Sequence, residues 1–297
     1  MNLCRKLFAA AVTAASIAPA SAGPLEGKKS GAEILAESSA SDWAALDPEK
    51  TLYIDLERGR VVVALSPFLA QRHVEQIRKL AREGFYDGLS FYRVIDGFVA
   101  QGGDVFEKRE VKTAAKTLAA EFDEVAPEGF AFSPLPDADG YAPQSGYAAS
   151  LPAGYDPRTK RAWHLHCAGA IAFARGDERD TAGTEFYVAL QPQRYLDRNL
   201  TVFGRVVDGM ENLQALRRVA PAETADDDLG ETIISVRVAA DVPQADRSNF
   251  EILRSGTPAF AAYVEARRNR PEGFFYHRPN YIDVCQLPVP VRKVAAE

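Results

Sequence analysis

Between Thr51 and Leu65 the apolar positions change rhythm twice. Leu52, Ile54 and Leu56 alternate with Tyr53, Asp55 and Glu57, the period of a strand with one buried face. Arg58-Gly59-Arg60 supplies a turn, and Val61 to Leu65, β-branched and apolar, predicts a returning strand. The period then lengthens. Val74, Ile77, Leu80 and Ala81 fall on one helical face, with Ser66 as the expected N-cap and Pro67 at the first helical position. Short strands are predicted again at 91–95, 170–174, 185–190, 201–207 and 232–239. Between the last two, Asp208 is the expected cap of a helix carrying Met210, Leu213 and Leu216, with Glu211 completing a capping box. Many strands and two helices argue for an antiparallel β fold rather than a βαβ enzyme.

Three stretches lack such a rhythm. Residues 23–50 are rich in Ala, Ser, Gly and charge and read as a linker with little fixed structure. Residues 105–168 show no sustained period and read as an irregular surface insertion. Residues 241–297 form a C-terminal extension, in which Thr257-Pro258 starts one helix with Phe260, Tyr263 and Val264 on its apolar side.

The N-terminus changes the picture further. Arg5 and Lys6 precede an apolar run, Leu7 to Ala18, and Ala20-Ser21-Ala22 follows. That is the order of a secretory signal peptide cleaved near Ala22, and the run is too short to span a bilayer comfortably. The expected location is therefore the periplasm or the exterior, with no membrane span in the mature chain. Export permits disulfides. Cys167 and Cys285 remain in the mature chain, either as one bridge or as two buried thiols. The net charge of −6 supplies no basic field for nucleic acid.

Chemistry-bearing clusters are few. There is no phosphate loop and no G-x-S-x-G elbow. His164 and His166 would share a strand face, but a zinc site needs three or four ligands, and His73 and His277 are distant in sequence. No metal is expected. Arg93 stands out because strand alternation puts a guanidinium beside Phe91 and Ile95. Such a placement needs either a structural partner or a task.

Three blocks in order decide between those readings. They are FYRVIDGFVAQGGD (Phe91 to Asp104), GAIAFARGDERDTAGTEFYVAL (Gly169 to Leu190) and YLDRNLTVFGRVVDGMENLQAL (Tyr195 to Leu216), with Glu121-Phe122 before the second. Together they resemble the cyclophilin-type peptidyl-prolyl cis/trans isomerases over residues 51–240. The resemblance implies a mainly β fold, a closed eight-stranded antiparallel barrel capped by two helices, with its groove on the outer surface. It implies catalytic roles for Arg93, Phe98 and Gln101. It places Val99, Ala174, Arg175, Glu185, Tyr187, Tyr195, Leu196 and Leu200 along the substrate path. Val99 stands where the family commonly has Met, Arg175 where it often has Asn, and Glu185 where Gln is usual. Tyr187 replaces Phe, Tyr195 a frequent Trp and Leu200 a frequent His. The expected substrates are proline-containing peptides and unfolded exported proteins, with no cofactor and a monomeric chain. Two alternatives stay open: a peptide-binding module with little catalysis, and a barrel holding a small ligand inside.

Overall fold

The computed structural model describes residues 25–220 and 228–294. The leader expected over residues 1–22 lies outside the described residues. Eight antiparallel strands close into a barrel in the order Ala170–Phe173, Phe186–Ala189, Val99–Gly103, Ser90–Val94, Glu231–Val238, Thr51–Leu56, Gly59–Leu65 and Val202–Asp208. The last strand pairs with the first. Alternation sends Leu52, Ile54, Phe91, Phe173, Phe186 and Phe203 inward, and all are at most 1% exposed. Burying each such side chain contributes about 1.5–3 kcal/mol. The interior is thus a packed core, and the idea of a ligand held inside the barrel is set aside.

Two helices cover the barrel, Gln71–Arg82 and Met210–Gln214. Their caps differ from expectation. The first helix starts at Gln71, four residues after Pro67, and Ala70 in the N-cap position makes no side-chain bond. Its N-terminus is capped from afar: the buried Glu121 carboxylate accepts the N–H groups of Arg72 and His73, each at 3.1 Å, and bonds His73 Nδ1 at 2.6 Å. Burial raises the Glu121 pKa, but these bonds outweigh it and hold the carboxyl below its usual range. The second helix is entered through Gly209 at φ 79°, so Asp208 is not its cap. A left-handed entry favours glycine there over a side-chain cap.

The three unpatterned stretches are not separate appendages. Within 25–50, helix Gly31–Glu37 carries a full capping box, Ser30 with Glu33, and Trp43–Ala45 forms a strand. The linker reading is corrected accordingly. Residues 105–123 hold no helix or strand, but 124–164 form a five-stranded sheet, so the insertion is irregular only in its first part. The extension contains its expected helix, Pro258–Asn269, and also strands Phe250–Leu253 and Val291–Lys293, which make a three-stranded sheet with Trp43–Ala45. Trp43, Tyr147, Trp163, Leu253, Phe260 and Leu287 all enter one second hydrophobic core. Its parts lie far apart in sequence, so no local period announces it.

Cys167 and Cys285 are joined by a disulfide at the edge of that core, closing a sequence separation of 118. Replacing both by Ser is expected to remove about 2–4 kcal/mol of stability. The chain has two tryptophans, both in the second core, so their fluorescence during denaturant unfolding reports the loss. An unchanged midpoint would contradict it.

Candidate active site

The strand Ser90–Val94 contains a bulge. Ser90 pairs with Gly103 and Arg93 with Gln101, so one extra residue lies on the first strand. Phe91 therefore turns into the core, edge-on to Phe186 at 5.7 Å. Arg93 and Tyr92 both meet Gln101 on the outer face. The expectation that Arg93 shares a face with Phe91 is corrected, because alternation does not survive an inserted residue. Arg93 Nη1 donates to Gln101 Oε1 at 3.1 Å, and Gln101 Nε2 donates to the Tyr92 hydroxyl at 2.5 Å. The guanidinium carbon lies 5.3 Å from the centre of the Phe98 ring. Gln101 thus holds the half-buried arginine at the edge of an aromatic face.

An apolar depression adjoins it. Tyr187 pairs with both Gln101 and Ala172, and Val99 pairs with Ala189. Their outward side chains form a small cluster with Val202, against which Phe98, Ala174 and Leu200 pack while half-exposed. Leu196 and Tyr195 sit on the following turn, Arg194–Leu196, the first half-buried and the second 57% exposed. Arg175 donates to the carbonyls of Asn199, Gly176 and Asp177 at 2.7–3.0 Å, which folds it along the rim. The structure therefore brings Arg93, Phe98, Val99, Gln101, Ala174, Tyr187 and Leu200 into one site, with Arg175, Tyr195 and Leu196 at its margin.

Glu185 lies two residues before Tyr187, just ahead of the strand Phe186–Ala189, with its carboxylate against Gly103. A side-chain carbon on Gly103 would stand 2.5 Å from both carboxylate oxygens, and its φ is +143°. Only glycine leaves room for the acid. One carboxylate oxygen of Glu185 is buried without a partner among the described residues. It borders an open groove of about 720 Å³ lined also by Gln101, Asp104, Arg109, Ala174 and Arg175.

The family described as "Cyclophilin type peptidyl-prolyl cis-trans isomerase/CLD" matches residues 51–238. The chain belongs to the cyclophilin-type isomerase family. A probable peptidyl-prolyl cis-trans isomerase of Brucella suis is 32% identical over 198 residues, 67% of this chain and 87% of that protein. Peptidyl-prolyl cis-trans isomerase B of Bacillus subtilis is 34% identical, covering 54% of this chain and 87% of its own length. Among solved structures, cyclophilin AquaCyp293 from Hirschia baltica superposes with a TM-score of 0.71 at 26% identity, over 91% of this chain and 99% of that one. The likeness to AquaCyp293 thus reaches well beyond the barrel.

Within this cyclophilin-type site, Tyr187 needs what a phenylalanine would not. Its buried hydroxyl requires a hydrogen-bond partner. His166 Nε2 provides one at 2.9 Å, and His166 Nδ1 bonds Asp197 Oδ1 at 3.0 Å. The two histidines weighed as metal ligands are thereby separated in role. His164 ends its strand and bonds Ser66 Oγ at 2.7 Å, and burial depresses its pKa to about 4. The Tyr187 support was not foreseen from sequence; a tyrosine at a floor position and a histidine elsewhere was the available signal.

Glu185 carries a pH signature. Burial, helped by the charge of Asp104, outweighs the lowering pull of the Tyr92 hydroxyl and the Asp104 amide, and its carboxyl is pushed up to about 7. Thr184 is a further polar neighbour, with its hydroxyl 3.5 Å away, and the buried Tyr86 hydroxyl feels the same charge. A raised carboxyl favours the folded state while protonated. That contribution is complete below the unfolded pKa near 4.5 and is lost as pH rises through about 7. Glu185→Gln should therefore gain thermal stability relative to wild type across this window, then hold the gain. Parallel melting curves of the two proteins from pH 4 to pH 8 would contradict the assignment.

Proposed function

We propose that this chain accelerates cis/trans isomerisation of X–Pro bonds in exported proteins, with Arg93 acting on the bond and the Val99–Tyr187–Leu200 depression holding the proline ring. The observation that carries the reading is the Arg93 guanidinium, fixed by Gln101 beside Phe98 at the edge of an apolar pocket. A planar X–Pro amide resists rotation, with a barrier of ~18–20 kcal/mol, because the nitrogen lone pair is delocalised into the carbonyl. Twisting the bond returns that pair to nitrogen. A guanidinium N–H directed at the nitrogen then binds the twisted amide better than either planar form, which lowers the barrier. The pocket fixes the ring while the acyl side rotates, and no proton needs to be transferred. No cofactor enters this chemistry.

Export is supported by the leader-like order of residues 1–22 and by a disulfide in the folded chain. Among the described residues no helix is long and apolar enough to cross a membrane. The test of the activity is exchange between the cis and trans forms of a short X–Pro peptide, followed by NMR. Wild type is expected to broaden and then merge the two sets of resonances. Peptide binding without faster exchange would overturn the enzymatic reading in favour of a holding module. Export is tested by sequencing the N-terminus of the chain recovered from the periplasm, which should begin at Gly23.

A further inference from the structure

Among the described residues seven large apolar or aromatic side chains are exposed, and three of them are tyrosines around one buried cluster. Tyr195, Tyr141 and Tyr281 are 57%, 58% and 46% exposed. They come from the turn beside the proline pocket, from the insertion and from the C-terminal extension. Arg194, buried beneath them, donates to Asp139 at 2.9 and 3.0 Å and to Asp197 at 2.6 Å. Its guanidinium carbon lies 5.1 Å from the Tyr141 ring centre. The Tyr281 hydroxyl donates to the carbonyl of Ala138 at 3.2 Å, next to Asp139. The following residue, Ile282, donates its N–H to Asp137. Insertion and extension are thus clamped together at the foot of both rings.

We propose that Tyr195, Tyr141 and Tyr281 form an aromatic strip that takes the substrate polypeptide where it leaves the proline pocket. The occupant is the substrate itself, because one end of the strip adjoins the pocket: Tyr195 shares a single turn with Leu196 at the pocket margin. Tyrosines offer large amphipathic faces with few torsions to immobilise. The faces fit apolar, aromatic or proline side chains of an extended chain. A folded protein buries those groups, whereas an unfolded one presents them. The strip should therefore favour long unfolded chains over short proline peptides, and the insertion and extension would exist partly to carry it. The inference rests on the reading of the proline pocket given above.

The test compares two substrates in the full-length mature protein. One is the short X–Pro peptide; the other is a longer peptide with the same X–Pro centre and aromatic residues on both sides. The variant is Tyr141→Ser with Tyr281→Ser, which leaves Tyr195 in place. The short peptide should be turned over within about two-fold of wild type, and kcat/KM for the long one should fall roughly ten-fold, mainly through KM. Tyr141→Phe with Tyr281→Phe should keep the wild-type preference. Equal effects on both substrates, or none, would overturn the strip. A second measurement needs no variant: wild type should bind the long aromatic peptide more tightly than a Ser-substituted copy, and equal affinities would overturn the proposal. Absent turnover of the short peptide by wild type would instead overturn the isomerase reading, since the binding comparison still reports the strip alone.

Discussion

Arg93→Ala is expected to lower kcat/KM for a short X–Pro peptide by roughly ten- to a hundred-fold. A hydrogen bond from a charged donor is worth about 1.5–3 kcal/mol, and each ~1.4 kcal/mol is a decade in rate. The loss should fall on kcat more than on KM, because the bond is made to the twisted amide and the planar ground states do not use it. Arg93→Lys keeps the charge but loses the planar fork held by Gln101. It should recover only part of the rate. Folding should be little affected, since Arg93 is half-exposed on the outer face of the barrel. An Arg93→Ala protein with wild-type exchange rates would sink the proposed role of the guanidinium.

The barrel was legible because its strands obey a local rule. Leu52, Ile54 and Leu56 point one way by alternation, and all three are in the core. The site was legible because three motif blocks keep their order, and barrel closure brings Gln101 beside Tyr187. What sequence hid is what depends on distant residues. The bulge near Arg93 cannot be seen from one strand alone. The helix at Gln71 takes its cap from Glu121, far along the chain, and not from Ser66. The insertion looked irregular because its strands are only two to six residues long and are interrupted by Gly and Pro, residues of low strand propensity. Gly154 shows why such a residue is needed. A side-chain carbon there would lie 2.5 Å from the Trp163 ring, so the tryptophan that fills the second core requires a glycine across from it.

The same distance dependence makes Arg194 the most consequential residue that sequence did not single out. Its side chain and those of Asp139 and Asp197 are 7%, 4% and 4% exposed. Arg194→Leu would leave two buried carboxylates without their cation, and such a removal costs about 3–5 kcal/mol. The penalty should depend on pH. Burial raises the Asp139 pKa, but the Arg194 bonds and the N–H groups of Tyr141 and Ala142 more than offset this and hold it below the usual value. A lowered carboxyl stabilises the fold above its unfolded pKa and loses that contribution as pH falls. In the variant that contribution is reduced, so its deficit should be largest near neutrality and should shrink toward acid. The effect should also reach the pocket floor. Asp197 holds His166, and His166 holds the Tyr187 hydroxyl, so a loosened Asp197 frees Tyr187 to tilt. Tryptophan-detected unfolding across pH, with peptide KM measured at each value below the transition, checks both. A deficit independent of pH would contradict the stabilising role of the Arg194 ion pairs, and an unchanged KM in the folded variant would contradict their support of the proline pocket.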